Sequence, residues 1–555
     1  MFDWLLRLLF GSLIRRKCDL AKPGAEAAVL RLYGICLGIA TFGIVPIETG
    51  NYFSNSAFEI TRRFLANMDE EGLFSPTTTT ASSHHIHFCF AELEKNPDGG
   101  YWRLGLHLSM IHFGVLLGSM LVPLLSRSFG RPRCLFIAVA AFVVPGRILQ
   151  LISVASDAWF LLIGGRLLCN IALGILYTIA PAYFNEIAPP EVRSSVGVFF
   201  PVGMCLGSVI GALLGVHWML GTDSLWWIAM LICLLLALPA LPLLNQLPDT
   251  PAYLLAKAQD YGDELYETRA SEALIYYQGS DERLEAHRAD ASCSPGSSVR
   301  AILSCPELRR QLKIALAVMS LYFPASLFGY SSTFAMAQAG LSETSSETIT
   351  LVLKLLALVV LLMSMFTGAF THRSQLLVSA IVTVVCMLFL ALFQGLAATE
   401  GGGYSWCFAA SLIVLQASVN FGIRQLYWVI VPELFPCRHR ASGKAIVNAA
   451  LGLLHGTLNL LFDQLLVLLG GALYALLAVP IAGSLVYVWR RLPETGGNRE
   501  LCEIYAQFQT LAAASKPLLA VENANFGAVS ENGSSKAQQI NELKPRFETT
   551  GDMSC

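Results

Sequence analysis

Two carboxylates recur in one spacing, Glu186-x-x-Pro189-x-x-x-Arg193 and Glu433-x-x-Pro436-x-x-x-Arg440. A carboxylate accepts strong, charge-assisted hydrogen bonds from guanidinium groups, so each motif holds the parts of an ion pair that can form and break. Cations also interrupt apolar runs, at Arg166, Lys354 and Arg424. An unpaired charge in hydrocarbon costs about 2.5 to 3.5 kcal/mol or more, which predicts a carboxylate partner for Arg166 near the cytosolic end of its helix. The cluster Ser83-His84-His85-Ile86-His87-Phe-Cys89 has imidazoles that can converge on a soft metal, but such clusters are more often solvated loop, and no metal is expected. No nucleophile elbow, phosphate-binding glycine loop or paired catalytic carboxylates occur, so the chain reads as no enzyme and as needing no cofactor.

The elements that must position these charges are set by apolar length. With 55% hydrophobic and 14% charged residues and a mean hydropathy of +0.57, the chain carries more apolar surface than a water-soluble domain can hide. Its net charge of -2 gives no global pull toward nucleic acid. About twelve apolar runs are long enough to cross roughly 30 Å of hydrocarbon. They fall in two groups, one from Leu32 to Leu244 and one from Ile314 to Trp489, with the polar stretch Asn245 to Arg310 between them. The fold class is therefore an all-α membrane protein of two pseudo-symmetric six-helix bundles. The expected order is an amphipathic segment at 1–28, a first bundle at 29–246 with a long outer loop at about 51–103, a linker at 247–311, a second bundle at 312–490 and a largely disordered tail at 491–555.

Orientation follows from Lys and Arg. Arg127, Arg131, Arg133, Arg193, Arg373, Arg438 and Arg440 gather in the short connections of one side, which predicts that side, the linker and both termini in the cytosol. The long outer loop also carries Arg and Lys, where the rule is weak. The 14 Cys form no disulfide ladder, and pairing of Cys89 with Cys407 is conceivable only. Each spaced Glu-Pro-Arg motif follows the fourth helix of its group, so the two groups read as a duplicated unit.

Several stretches in order then resemble the sugar porter family of the major facilitator superfamily, which includes the facilitative glucose transporters. They are Gly165-Arg166, Pro181-Ala-Tyr183-Phe-Asn-Glu186-Ile-Ala-Pro189-Pro-Glu-Val-Arg193, Pro248-Asp-Thr-Pro251-Ala-Tyr-Leu-Leu255, Trp428-Val-Ile-Val-Pro-Glu433-Leu-Phe435 and Leu492-Pro-Glu-Thr495-Gly-Gly. Together they are specific, and they cover most of the chain between about Leu32 and Ile504. The resemblance implies the major facilitator fold and a cytosolic gate built from Arg131, Arg166, Glu186, Arg193, Asp249, Glu433 and Arg440. When the inner ends of the halves meet, Glu186 and Glu433 accept from Arg193, Arg440 and Arg131, and opening inward must break those pairs.

The solute site departs from the family pattern. The helix-five Gln of glucose carriers is replaced by Pro201, and the amide-rich run of helix seven reads Ser320-Leu-Tyr-Phe-Pro-Ala-Ser326 before Leu327-Phe-Gly-Tyr330. Helix ten reads Gly422-Ile-Arg424-Gln425-Leu-Tyr427-Trp428. The residues expected to line the substrate cavity are Arg424, Gln425, Tyr427, Trp428, Asn448, His455, Ser326 and Tyr330. A neutral hexose asks for amides and a stacking ring, whereas a cationic Arg asks for a carboxylate-like or phosphate-like oxygen. Arg424 can equally find a partner within the protein. The first expectation is facilitated diffusion of a sugar or polyol-like solute by alternating access, uncoupled because no Asp follows the Phe42-Gly43 of the first helix. Glu48 is placed near the watery outer end. The alternatives are a facilitator of a small organic anion, urate-like or carboxylate, and a solute sensor that does not transport. Partners are then a small molecule and the bilayer, with the plasma membrane as the default location.

Overall fold

The computed structural model describes residues 25–56, 97–156, 158–216, 218–222, 224–285, 288, 299–364, 371–400 and 403–493. Every regular element among them is helical. Eleven helices are long and apolar enough to cross a membrane, and a shorter apolar helix at Thr348–Met363 completes the series of twelve. The amphipathic start, the outer-loop histidines, Cys89 and the tail beyond 493 lie outside the described residues.

The first span runs through α1 (Ala25–Gly38), a π-helical turn (Ile39–Ile44) and α2 (Val45–Ser56). The second is α3 (Pro97–Ser128), and the third is α4 (Arg131–Ile137), a π-helical turn (Ala138–Val143) and α5 (Val144–Ser156). α6 (Trp159–Ile187), α7 (Pro190–Leu214) and the pair α8 (Trp226–Ala237) and α9 (Ala240–Asn245) complete the first group. The polar stretch that follows carries α10 (Pro251–Tyr261), α11 (Glu264–Gln278) and α12 (Val299–Ser304). Its first two helices are started by polar caps, Thr250 accepting from Tyr253 N–H at 3.3 Å and Asp263 from Leu265 N–H at 2.9 Å. The second group is α13 (Pro306–Gln338), α14 (Glu343–Ser364), α15 (His372–Glu400), the pair α16 (Gly403–Phe421) and α17 (Ile423–Glu433), α18 (Cys437–Leu469) and α19 (Ala472–Arg491).

Packing repeats with the sequence. The first span lies on the fifth as the seventh lies on the eleventh, the second on the fourth as the eighth on the tenth, and the third on the sixth as the ninth on the twelfth. This offset by six spans is the duplication that the spaced motif implies. Both motif prolines, Pro189 and Pro436, stand in extended geometry at the joint where one helix stops and the next begins, since proline cannot continue the first but suits the start of the second. The halves meet where the second span runs along the eleventh and the fifth against the eighth. On the ninth span Val378, Ile381, Val385, Leu388 and Leu392 are exposed at helical spacing, a stripe suited to lipid rather than water.

Lipid tails are as apolar as side chains, so helices in a membrane gain from close backbone approach. A Cβ added to Gly118 would lie 2.0 Å from the Ile171 carbonyl oxygen, and one on Gly174 would lie 2.4 Å from that of Val115. Gly118→Leu is therefore expected to push the second and fourth spans apart at a cost of about 1–3 kcal/mol or more. A drop of several degrees in the detergent-solubilised thermal midpoint would record it, and an unchanged midpoint would contradict the contact.

Candidate transport site and gate

At the Arg-rich end of the bundle Glu186, the penultimate residue of α6, is fully buried among donors. Arg131 Nη2 donates to its Oε1 at 3.0 Å, and Arg131 Nε reaches Oε2 at 3.3 Å. Arg440, from the other half, places Nη1 3.6 Å from Oε1. Thr250 Oγ1 donates to Oε2 at 2.6 Å while also capping α10. One carboxylate thus joins the fourth span, the third span, the eleventh span and the connecting stretch. Thr250 was not among the expected gate residues, although a Thr directly before Pro251 is a helix-start signature.

Asp249 lies beside this cluster against Gly130, where an added Cβ would meet its Oδ1 at 1.5 Å. Burial lifts the Asp249 carboxyl above its usual range, with the charges of Arg133, Lys257 and Arg131 pulling the other way. Arg193 and Glu433 are buried at the same end. Arg166 is not part of this gate. It sits 20 residues before Glu186 on one continuous helix, about 30 Å away at 1.5 Å per residue. Its Nη1 lies 2.7 Å from His107 Nε2 and its Nη2 donates to the Asn51 carbonyl at 3.5 Å, so polar groups at the opposite end, not a cytosolic carboxylate, receive it.

The middle of the bundle is built around a break in the tenth span. Gly422 interrupts the helix between α16 and α17 with φ −128° and ψ −67°. Polar side chains of α15 satisfy the interrupted backbone: Ser379 Oγ donates to the Ser418 carbonyl at 2.5 Å, and Gln375 Nε2 donates to the Phe421 carbonyl at 2.6 Å. An added Cβ on Gly422 would meet Ser379 Cβ at 2.6 Å, so glycine admits the close approach. The break delivers Arg424 to the interior, 6% exposed.

Arg424 Nη1 reaches Asn420 Oδ1 at 3.5 Å, and its Nε has no acceptor among the described residues. Among those residues it has no carboxylate ion pair. Lys354 of the eighth span donates to the Gly329 carbonyl at 2.6 Å and lies 4.6 Å from the Tyr52 ring. Arg424, Lys354 and Glu48 all lie within electrostatic reach of one another. Glu48 is not at a watery end: it is fully buried and accepts from the Tyr177 hydroxyl. The π-helical turn before Pro46 bends the first span here, and Arg147 of α5 binds the carbonyls of Pro46 at 2.7 Å and Ile47 at 3.2 Å.

Trp428 is held in an aromatic cage from four spans. Its ring centroid is 4.7 Å from Tyr177, 4.6 Å from Phe200, 5.9 Å from Tyr322 and 4.7 Å from Tyr427. Beneath it lies Lys444, fully buried, with Nζ 3.8 Å from the Tyr427 ring and 4.5 Å from the Trp428 ring and no hydrogen-bond acceptor among the described residues. Lys444 stands one residue before the apolar run of the eleventh span, close behind Arg438 and Arg440, where its sequence context reads as part of a basic connection rather than as a cation in hydrocarbon.

The other expected cavity residues divide. Gln425 is buried beside Arg424. Tyr427 stacks on Tyr322 at 4.8 Å and donates to Asn448 Oδ1 at 2.7 Å. Asn448 Nδ2 donates in turn to Thr178 Oγ1 of the first half at 3.0 Å. His455 packs against Phe323 and His112, with ring centroids 5.1 and 5.4 Å away. Ser326 and Tyr330 fall on α13, but their side chains lie outside the described residues. Both polar atoms of the Asn448 amide are engaged within the protein, and the bond to Thr178 crosses between the halves, so Asn448→Ala should loosen that contact by about 1 kcal/mol. The maximal uptake rate would then change several-fold and the half-saturating concentration much less; a shift confined to half-saturation would make Asn448 a solute ligand instead.

Comparison with known proteins places this geometry. The model of the family described as sugar (and other) transporter matches residues 72–508. Solute carrier family 2, facilitated glucose transporter member 2 of Rattus norvegicus is 23% identical over 494 residues, covering 85% of this chain and 90% of its own length. Member 9 of the same carrier family from Pongo abelii is 25% identical over 439 residues, covering 77% and 76%. Among solved structures, the major facilitator proton:xylose symporter XylE, bound to 6-bromo-6-deoxy-D-glucose, superposes with a TM-score of 0.69 at 17% identity, covering 87% of this chain and all of that one. The fold is the major facilitator fold.

Proposed function

The chain belongs to the sugar transporter family, and from that premise we propose that it moves a sugar or polyol-like small solute by facilitated diffusion through alternating access. The carrying observation is the buried Glu186, which takes Arg131 from its own half and Arg440 from the other. Such a bridge closes one end of the bundle and must break when that end opens, so it is the device alternating access requires. The positive-inside rule supports placing this end, and both termini, in the cytosol; the plasma membrane is the default location. Two relatives described as facilitated glucose transporters support the solute class and the uncoupled mode.

The cage around Trp428 supplies rings for stacking against a sugar face, and Gln425, three residues before Trp428 on the same helix, supplies an amide. A second reading, a small organic anion, is favoured by one observation. Arg424 and Lys354 are buried at the same level, and neither forms an ion pair with a carboxylate among the described residues. Glu48 is one carboxylate within reach of both, and an anion would supply the second negative charge.

The experiment is uptake of labelled hexoses, polyols and small organic anions into proteoliposomes containing the purified protein. Saturable entry that stops at equal inside and outside concentrations is expected. Binding of a solute without any flux would overturn transport and leave a sensor.

A further inference from the structure

Away from the transport path, a cavity of about 290 Å³ opens where the seventh and twelfth spans end, lined by Pro306, Arg309, Arg310, Lys313, Tyr487 and Arg491. We propose that this pocket is a binding site for clustered phosphate groups, occupied by the headgroup of a phosphorylated inositol lipid of the inner leaflet. The placement in the inner leaflet rests on the orientation proposed above; the pocket itself does not.

Three observations carry it. Four of its six lining residues are cations. The side chains of Arg309, Lys313 and Arg491 have neither an ion pair nor a hydrogen bond among the described residues. Two arginines elsewhere on this side do find carboxylates, Arg283 with Glu191 and Arg288 with Glu267 and Glu285. The pocket gathers its cations without such a carboxylate among its lining residues.

Helix polarity gives the second. Arg490 and Arg491 end α19, where the helix dipole favours cations and accounts for them. Arg309 and Arg310 stand near the start of α13, whose positive end disfavours them. A set of cations gathered against a helix start is relieved by an anion that both the side chains and the helix end attract.

The third is depth. Trp489, 56% exposed, adjoins the pocket on α19, and exposed Trp marks the level of lipid headgroups. Arg373 donates to the Trp489 carbonyl at 2.6 Å and adds a further cation at that level. A basic pocket between spans at this height matches the chemistry of a phosphorylated headgroup entering from the side.

The test uses the full chain in nanodiscs of phosphatidylcholine alone, with phosphatidylserine, or with phosphatidylinositol 4,5-bisphosphate, read by thermal midpoint and by native mass spectrometry. The bisphosphate lipid is expected to raise the midpoint and to remain bound, and phosphatidylserine to do so weakly. Replacing Arg309, Lys313 and Arg491 together by Gln should weaken binding by about fivefold per cation, roughly a hundredfold in all. The midpoint of that variant in phosphatidylcholine reports its folding, and K313R alone should keep the lipid. Soluble inositol 1,4,5-trisphosphate separates the sources: binding of the lipid only assigns the membrane headgroup, and equal binding of both keeps the phosphate site but moves its ligand to the cytosol. Binding unaffected by the triple substitution, or no preference for the bisphosphate over phosphatidylserine, overturns the proposal.

Discussion

Glu186→Gln should leave the chain folded but open its Arg-rich end. Gln keeps the shape of Glu and removes the charge on which Arg131 and Arg440 converge, and those two are 5% and 1% exposed. Removing one partner of a buried pair costs about 3–5 kcal/mol, because the remaining charges stay buried and unbalanced. That cost falls on the state in which this end is closed. The populations of the two states would therefore shift by about two to four powers of ten toward the open form. A carrier so biased returns slowly, and uptake should fall by at least about tenfold. Hydrogen–deuterium exchange over residues 186–193 and 436–444 should rise in parallel, and Glu186→Asp should do less of both. Wild-type uptake together with wild-type exchange would show that the pairs merely decorate a rim.

Arg424→Met is the second. The guanidinium sits beside the Gly422 break, with Nε unsatisfied and a 3.5 Å contact to Asn420 as its one side-chain hydrogen bond among the described residues. Met retains much of the volume and removes a buried charge, a change that is often neutral for stability. Its effect on transport is expected to be large and to depend on the solute. A charged donor given to a neutral hydroxyl is worth about 1.5–3 kcal/mol, so uptake of a hexose or polyol should drop by about ten- to a hundredfold. For an organic anion the lost partner is a full charge in a dry site, and about 2–5 kcal/mol or more goes with it. Uptake near zero for an anion that the wild type carries would establish the anion reading. Hexose uptake at the wild-type level would place Arg424 outside the solute path.

Much of the fold was legible because its signals are local. Apolar length marks a span whatever it packs against, and the Glu-Pro-Arg spacing marks both halves because each proline stops one helix and starts the next. The gate was half legible. Glu186, Arg131 and Arg440 were named and do meet, while Arg166 was assigned to an end of its helix that it does not occupy. Its neighbours Asn51 and His107 lie on other spans, and no pattern within the fourth span points to them. Glu48 was misplaced for a related reason: the π-helical turn and Pro46 bend the first span, and the Tyr177 hydroxyl comes from a helix more than a hundred residues away. Lys444 was not legible, because it follows Arg438 and Arg440 at the edge of an apolar run and only packing against Tyr427 and Trp428 shows it buried.

The sequence by itself determined that this chain crosses the membrane repeatedly, that it is a duplicated six-helix unit, and which residue types are available to pair. These follow from hydrophobic length and backbone chemistry, which each segment carries alone. Only the tertiary structure decided which guanidinium meets which carboxylate, that Trp428 stands in a cage of rings above Lys444, and that Arg424 and Lys354 face Glu48 at one level. Those pairings depend on the rotation and shift of whole helices against one another, and such rigid-body terms are set by close packing at positions such as Gly118 and Gly422, which carry no charge themselves.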